Sequence, residues 1–466
     1  MSIAKNPKSK FFCFRLATRT AYSLGKDAEG FRSFIPTMLR KSFLAWAAIT
    51  FMTATALQAA KAAEAQSSPS GIGGEPEQAP AAPSNIERGK YLATAGNCIS
   101  CHTRPDGEAF TGGQAFSTPF GTIYSTNITP DKETGIGTWK AEDMRRAMHE
   151  GVAPEGRRLF PAFPYTSFTK VTDADVDAIY AYLLSLKPVR YTPPDNGIAF
   201  WQRWPMRLWN AFFFEPARFT PDASQTDEWN RGAYLVDGLG HCSACHTPRN
   251  RFMAEVSSRA YAGGSSIMEE VAKDQLRPWS GANLTSAKEG LAAWSVGDLT
   301  KYLKTGFSAR AGTFGPMNDV IVNSTREMTP EDVRAMAVYI KSLPAHDSAT
   351  ATVTADQAKA GEAIYEARCE KCHMSSGRGG MFTAPPLSGS AVVQTDDPAS
   401  LLNTILFGPT VPKEVSMGAW ETMKGYHEIL SDEDTAKLAN YLRGSWGNRG
   451  RPVTPEDVAR QRGTLE

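Results

Sequence analysis

Apolar positions along the 466-residue chain recur with the spacing of helices, whereas stretches that alternate as strands do are rare. The helical pattern occurs three times with a similar order of elements, which is typical of a repeated folding unit. Each unit opens with a predicted helix that carries a glycine: Gly89, Gly232 and Gly361. The first of these helices begins with a capping box, in which Ser84 precedes Glu87 by three residues.

Each unit closes with a second predicted helix, which starts with a hydroxyl residue at the N-cap and acids in the first turn: Thr172, Thr329 and Ser431. Ten positions further on, each closing helix has a tyrosine that we assign to core packing: Tyr182, Tyr339 and Tyr441. A glycine lets two crossing helices approach closely, so the opening and closing helices should seal one small core in each unit. We therefore predict a mainly α fold with long loops.

The first two units also share a predicted middle helix, at residues 139–151 and 294–306. Their alignment places Met144 and Met148 opposite leucines, so both methionines are expected in the helix core. His149 aligns with Lys304, which predicts an exposed position for this histidine.

Apart from Cys13, every cysteine belongs to a Cys-x-x-Cys pair that is followed directly by histidine: Cys98/Cys101/His102, Cys242/Cys245/His246 and Cys369/Cys372/His373. Two thiols one helical turn apart can each form a thioether with a haem vinyl group, and the next residue then supplies the proximal imidazole. The pattern predicts three covalently bound haem c groups, one in each unit.

A redox disulfide and a zinc site are the competing interpretations of Cys-x-x-Cys. Three copies, each with its histidine, favour haem over a disulfide. Zinc needs paired ligand sets at short range, yet 144 positions separate Cys101 from Cys245 and 127 separate Cys245 from Cys372. We predict three consecutive class I-like cytochrome c domains, at residues 85–195, 225–346 and 354–448.

A methionine sulfur opposite the histidine raises the potential of a haem and closes the iron to small molecules. In the loop before the closing helix, the second unit has Met317, and the third has Met417 with Met423 as a weaker rival. Met417 is preferred because a tight turn and an aromatic residue follow it. The first unit has Phe163 in this loop, and phenylalanine cannot bind iron. The first haem is therefore expected to be five-coordinate or weakly ligated.

The first 65 residues hold ten Lys or Arg and three acids, and without them the formal net charge changes from +1 to −6. Such a chain lacks the basic patch of a nucleic-acid binder, so no nucleic-acid partner is expected. Arg40 and Lys41 precede an apolar stretch at 43–57, and residues 63–65 fit a cleavage site. We predict that residues 1–65 are a leader and signal peptide and that translation starts at Met38. A signal peptide predicts a periplasmic protein. An uncleaved membrane anchor is the alternative.

The remaining segments are predicted to be a flexible linker at residues 66–84, an aromatic inter-domain segment at 196–224 and a polar tail at 449–466. The aromatic segment includes Phe212, Phe213 and Phe214. Aromatics near Arg203 and Arg207 favour a membrane surface or a quinone-adjacent patch. Packing between two domains is an equally good interpretation, because the segment has no clean amphipathic period that would favour one interpretation over the other.

Several longer stretches resemble the triheme cytochrome c subunits of bacterial membrane-bound dehydrogenases that oxidise gluconate, alcohols, sorbitol, fructose or aldehydes. The resemblance extends from about Ile86 to the end of the chain. Residues 118–124, 127–130, 134–137, 228–232, 240–250, 315–317 and 445–448 carry it. It supports Met317 and Met417 as iron ligands, whereas many relatives have methionine where this chain has Phe163.

The resemblance implies a non-catalytic electron-transfer subunit. Electrons would leave a cofactor of a partner dehydrogenase subunit, pass through three haems and reach ubiquinone or another respiratory acceptor, at the periplasmic face of the cytoplasmic membrane. Two other functions stay open. One is a self-contained oxidoreductase, such as a peroxidase that uses an open first haem, and the other is a docking subunit with little electron transfer of its own.

Overall fold

The computed structural model describes residues 84–118, 120–198, 205–272, 275–347, 351–380 and 382–463. The predicted leader at residues 1–65, the linker up to residue 83 and residues 199–204 of the aromatic segment lie outside these ranges. Inside them, no helix is both long enough and apolar enough to cross a membrane. The described chain is mostly helical with little sheet.

The first unit surrounds one short hairpin with helices. Its elements are α1 (Asn85–Ala95), α2 (Cys98–His102), β1 (Ala115–Thr118), β2 (Gly121–Tyr124), α3 (Ala141–Glu150), α4 (Tyr165–Phe168) and α5 (Asp173–Ser185). The two strands pair antiparallel, with Ala115 opposite Tyr124. A further helix, α6 (Met206–Phe213), precedes the second unit.

The second unit repeats this order and has a longer hairpin. Its elements are α7 (Asp227–Tyr234) with a π-helical extension (Leu235–Leu239), α8 (Ser243–His246), a 3-10 turn (Ser257–Arg259), β3 (Ala262–Ala272), β4 (Gln275–Asn283), α9 (Val296–Thr305), α10 (Met317–Val320) with a π-helical extension (Ile321–Thr325), and α11 (Pro330–Ser342). The strands pair antiparallel, with Ala262 opposite Asn283. This hairpin differs from the predicted long loop, because its glycines and Pro278 are poor strand formers and hide the pattern.

The third unit is helical. Its elements are α12 (Ala355–Lys359), α13 (Glu362–Arg368), α14 (Glu370–His373), α15 (Ala391–Gln394), α16 (Ala399–Phe407) and α17 (Asp432–Gly444), and α18 (Pro455–Arg462) follows it. α18 lies in the segment that the sequence predicts to be a polar tail. Val458 on α18 is fully buried in the core of the third unit, so this tail is part of the fold.

Hydroxyl side chains start the predicted helices as expected. The backbone N–H of Glu87 donates to Ser84 Oγ at 3.3 Å, and the Glu87 carboxylate accepts from the Ser84 N–H, which completes the capping box. The same type of N-cap bond, 3.1–3.2 Å long, starts the three closing helices at Thr172, Thr329 and Ser431. The predicted helix starts are therefore confirmed.

The opening segment of each unit crosses the closing helix at the predicted glycine, which lies within α1 and α7 in the first two units. In the third unit the predicted opening helix is divided, and Gly361 lies between α12 and α13. A Cβ atom on Gly89 would lie 1.8 Å from the carbonyl oxygen of Ala178. A Cβ atom on Gly232 would lie 2.0 Å from the carbonyl oxygen of Ala335, and one on Gly361 would lie 2.1 Å from that of Lys437. Any side chain at these positions would push the two helices apart, so the close approach depends on glycine.

Two hydrophobic cores hold the described chain together. One core is continuous through the first and second units and includes Leu92, Ile179, Leu235 and Ile340. The other belongs to the third unit and includes Tyr365, Leu402 and Leu438. The first two units therefore pack as a pair, and the third has a core of its own.

The predicted exposure of His149 is wrong. Its side chain is 1% exposed, with Nδ1 3.7 Å from Asp173 Oδ1. The matching Lys304 donates from Nζ to two backbone carbonyls ahead of α11. At the corresponding place beside α3, the Thr169 carbonyl accepts from Arg218 of the inter-domain segment instead, at 2.9 Å, and the shorter histidine is enclosed there. Desolvation lowers the pKa of His149 to about 4.

Candidate haem sites

Each Cys-x-x-Cys-His sequence lies on or next to a short helix that follows the opening helix: α2, α8 and α14. In all three, the ring Nδ1 of the histidine is within hydrogen-bonding distance of a backbone carbonyl. The distances are 2.7 Å from His102 to Thr126, 2.7 Å from His246 to Ala282 and 3.0 Å from His373 to Pro385. A carbonyl only accepts, so we assign the proton to Nδ1, which leaves the lone pair of Nε2 free for a metal.

Desolvation disfavours the charged form of several groups in the three motifs. It raises the pKa of Cys98 and Cys242 to about 12 and that of Cys369 to about 11. It lowers the pKa of His102, and the same holds for His246 and His373. All six motif cysteines are free of disulfides. Zinc binds cysteine as the thiolate, the form that desolvation disfavours at Cys98, Cys242 and Cys369.

A cavity of about 220 Å³ lies beside the second motif. Cys242, Cys245 and His246 are on its wall, and so is Met317. Much of the remaining lining is apolar and includes Trp279, Leu299, Leu303 and Ile340. The cavity is apolar and offers two cysteine thiols, one imidazole whose Nε2 can bind a metal and one methionine thioether. This set of groups fits a covalently attached haem.

The β3–β4 hairpin fixes the second motif through two glycines that the sequence analysis did not single out. A Cβ atom on Gly264 would lie 1.8 Å from the carbonyl oxygen of Cys245, and one on Gly281 would lie 2.2 Å from it. The hairpin backbone therefore contacts the backbone of the motif directly. Two glycines on facing strands are the signal that could have indicated this contact.

A second cavity, of about 350 Å³, lies beside the third motif, with Cys369, Cys372 and His373 on its wall. Both candidate methionines, Met417 and Met423, line it. The Met417 side chain also contacts Gly312 of the second unit, where a Cβ atom would lie 1.9 Å from Met417 Cε. The cavity fits a haem as the previous one does, and its lining alone does not separate the two methionines.

The first motif has no methionine in the corresponding loop. Phe163 is half-buried there, and its ring lies 5.3 Å from the ring of Phe168. His102 Nδ1 pairs with a backbone carbonyl, as Nδ1 of the other two motif histidines does. The proximal side of this site is therefore formed like the others, and the opposite side differs.

The three motifs are close neighbours in the fold. Arg310, Ala311, Gly312 and Phe314 line both cavities, so this loop is the wall between the second and third motifs. The first motif adjoins the second unit, where Asn323 donates from Nδ2 to Ser100 Oγ at 2.9 Å. The loop thus separates the second and third motifs, and the hydrogen bond connects the first motif to the second unit.

The described part of the aromatic segment exposes apolar side chains on α6. Phe212 is 72% exposed and Leu208 is 59% exposed. Phe252, from the loop after the second motif, is 49% exposed and its ring lies 5.6 Å from that of Phe213. We call these four residues the aromatic surface. Asn210, on the opposite side of α6, is buried and accepts a hydrogen bond from Tyr165 of the first unit at 2.7 Å. Trp209 Nε1 donates to the Phe252 carbonyl of the second unit at 2.8 Å, so α6 packs against both units and still leaves the aromatic surface exposed.

Comparison with known families agrees with this chemistry. Residues 86–187 match the family described as cytochrome c. Residues 356–442 match the family described as cytochrome C oxidase, cbb3-type, subunit III.

Three relatives extend the match beyond single domains. The chain is 38% identical over 396 residues to the cytochrome c subunit of the quinone-dependent alcohol dehydrogenase of Gluconobacter oxydans, covering 81% of this chain and 82% of the relative. It is 37% identical over 400 residues to the gluconate 2-dehydrogenase cytochrome c subunit of Pantoea cypripedii, covering 80% and 88%. It is 42% identical over 369 residues to a nicotinate dehydrogenase subunit of Pseudomonas putida, a match that covers 77% of this chain but only 30% of that longer relative. This chain therefore belongs to the family of dehydrogenase cytochrome c subunits, whose cytochrome c domains bind haem c covalently.

Proposed function

We propose that this chain is a three-haem electron-transfer subunit that accepts electrons from a partner dehydrogenase subunit and passes them to ubiquinone or another respiratory acceptor. Its cytochrome c domains span residues 85–195, 225–346 and 354–448. When bound, haem c supplies one-electron redox chemistry, and the side chains of the protein attach, orient and enclose it.

The observation that carries the proposal is the common geometry of the three motifs. In each, a backbone carbonyl holds Nδ1 of the histidine at 2.7–3.0 Å, and both cysteines stay available as thiols. A hydrogen bond of this kind fixes the orientation of an imidazole and makes Nε2 a better donor to iron. Three independent sites with one geometry support three attachment points: Cys98/Cys101, Cys242/Cys245 and Cys369/Cys372.

A methionine on the wall of each of the two cavities suits electron transfer. Met317 lines the same cavity as His246 and is our proposed sixth ligand for the second haem. Met417 is the proposed ligand for the third, with Met423 as the rival on the same wall. A thioether ligand raises the potential and leaves no position for a substrate. The peroxidase alternative is not favoured, because the relatives are subunits of dehydrogenases.

A rigid wall between sites keeps electron carriers at a fixed separation. The loop at residues 310–314 is shared by the second and third cavities, and the pair formed by the first two units has one continuous core. Such packing favours a relay through the three motifs, since the sites cannot drift apart as separate domains on a linker would.

Association with the periplasmic face of the cytoplasmic membrane is the further part of the proposal. The aromatic surface presents exposed Phe212 and Leu208 beside Arg207, and this combination favours the interface between lipid and water. A double variant, Phe212→Ser with Phe213→Ser, should lose sedimentation with anionic lipid vesicles. Phe382→Ser, which removes a side chain that is 69% exposed in the third unit, is the matched control and should bind as before. Equal binding of all three proteins would refute this role for the aromatic surface.

Co-purification tests the main proposal. The full chain, tagged at its carboxyl end and purified from solubilised membranes of the organism that makes it, should bring a dehydrogenase subunit with it. Gluconate, ethanol and fructose are then added separately without oxygen, and one of them should reduce the haems. Absence of a dehydrogenase together with no reduction by any donor would refute the proposal.

The same preparation separates electron transfer from docking alone. A Met317→Leu variant should retain the partner but pass electrons to a quinone acceptor at least tenfold more slowly. Unaltered quinone reduction in this variant would instead indicate a docking subunit.

A further inference from the structure

Equivalent hydrogen bonds place Phe163 and Met317 at the same position of the first two units. The backbone N–H of Leu159 donates to the Gly151 carbonyl at 2.8 Å, and the N–H of Thr313 donates to the Gly306 carbonyl at the same distance. Gly151 and Gly306 each end the middle helix of their unit in a left-handed conformation. Four residues beyond these bonds, the first unit has Phe163 and the second has Met317.

The two side chains differ in what they can offer to iron. Met317 lines the cavity of its motif and has a sulfur lone pair. Phe163 packs against the core shared by the first two units and against Phe168, and it has no donor atom. The loop that supplies a candidate ligand in the second unit therefore offers no donor atom at this position in the first.

No other side chain of the first unit takes over this role from the same loop. The first unit has two methionines, Met144 and Met148, both on α3. Their counterparts Leu299 and Leu303 line the second cavity beside Met317, so the α3 methionines correspond to other wall positions and not to the ligand position. His149, the remaining histidine, is enclosed next to Asp173.

We propose that the haem attached at Cys98 and Cys101 has no protein ligand opposite His102, and that this position binds a small uncharged diatomic molecule of the class of CO and NO. The inference rests on the proposed three-haem function and adds a ligand-binding site to it. Phe163, which stands where a ligand is expected, is apolar, and apolar surroundings disfavour anions such as cyanide because anions lose their hydration there. The second and third haems are closed by their methionines and bind no such ligand.

Titration of the reduced full-length holoprotein with CO tests the inference. Haem groups are counted first by the mass of the protein. The reduced wild type should bind one CO for every three haems. Before reduction, the visible and electron paramagnetic resonance spectra of the oxidised protein should show one high-spin and two low-spin haems. Phe163→Met should lower CO binding to none and convert the high-spin signal into a third low-spin one. Phe160→Met, three residues earlier in the same loop, is the matched control and should keep the wild-type stoichiometry.

Two results would overturn the open position. One is a wild type with three low-spin haems and no CO binding, and the other is a CO site that opens only in Met144→Leu or Met148→Leu, since either methionine would then be the ligand. A mass with no haem at Cys98 and Cys101 would refute the proposed three-haem function itself. Three attached haems without CO binding would refute only this inference.

Discussion

Tyr91 of the first unit donates a hydrogen bond from Oη to Oδ2 of Asp332 in the second unit, at 2.5 Å. The reciprocal bond joins Tyr234 of the second unit to Asp175 of the first, also at 2.5 Å. An arginine of the opening helix completes each site: Arg88 binds Asp175, and Arg231 binds Asp332 through two nitrogens at 2.6 and 2.8 Å. The same surface of each unit thus contacts the other, as in a symmetric dimer.

Removing one of these tyrosine hydroxyls should destabilise the pair of units. Tyr234→Phe leaves the buried carboxylate of Asp175 with one donor fewer, and we expect the free energy of unfolding to fall by about 1.5–3 kcal/mol. Urea unfolding of the holoprotein measures this change. Tyr182→Phe, on the closing helix α5 but outside the reciprocal network, is the control and should change stability by less than about 0.5 kcal/mol. Similar losses in both variants would contradict a specific role for the network.

Acid should weaken the same interface. Desolvation tends to raise the pKa of Asp332, but the hydrogen bonds from Arg231 and Tyr91 outweigh it, so the pKa lies below its ordinary value. A carboxyl group whose folded pKa is depressed stabilises the fold above its unfolded pKa of about 3.9, and this stability is lost as pH falls through the lower folded value.

Unfolding free energies measured from pH 7 down to pH 3 test this expectation. Stability that depends on Asp332 should be constant above about pH 5 and decline below about pH 4. Asp332→Asn should lose on the order of 1–3 kcal/mol at pH 7 and show a shallower acid decline. Asp356→Asn, at an exposed position on α12, should follow the wild-type curve. An acid decline of unchanged steepness in Asp332→Asn would contradict the assignment.

The helix crossings should not tolerate even one methyl group. In Gly232→Ala the new Cβ would meet the Ala335 carbonyl at 2.0 Å, and backbone cannot move aside as a flexible side chain can. We expect a loss of about 1–3 kcal/mol or more in thermal or urea unfolding. Gly463→Ala is the control, because nothing lies within 4 Å of a Cβ at that position. A Gly232→Ala protein as stable as this control would show that the crossing is looser than described.

Elements that depend on neighbours along the chain follow from the sequence. Ser84 and Thr172 start helices because an N-cap needs only the residues three positions further on, and both starts are as predicted. The glycine crossings follow too, because a residue that recurs in each unit must serve a contact that recurs in each unit. The predicted middle helix is present as α3 and α9, one to two residues shorter at each end.

Contacts between distant segments do not follow in the same way. Tyr91 and Asp332 are 241 positions apart, and no local pattern relates them. Tyr91 and Tyr234 occupy the same position on the first two opening helices. This recurrence is compatible with a contact between units, but equally with packing inside one unit. His149 is buried because Arg218, from outside the first unit, completes its surroundings. The β3–β4 hairpin contacts distant segments too: Gly264 and Gly281 approach the Cys245 carbonyl, and Ser280 is hydrogen-bonded to Ser400, 120 positions away.

The two methionines of the third cavity give a prediction with paired variants. A haem iron accepts one axial sulfur on the side away from His373, so only one of Met417→Leu and Met423→Leu should convert the third haem to high spin. Its midpoint potential should fall on the order of 0.1 V, within the range that axial ligands span. Redox titration followed by visible spectroscopy measures both effects. Conversion in neither variant would show that the iron takes its ligand elsewhere.

Intact-protein mass spectrometry of the mature chain tests the central claim most directly, when the protein is made in a host that attaches haem c. We predict three haem groups on the wild type. Replacing both cysteines of one motif by serine, for Cys98/Cys101, Cys242/Cys245 or Cys369/Cys372 in turn, should leave two. Fewer than three groups on the wild type, or three groups after one pair has been replaced, would contradict the account.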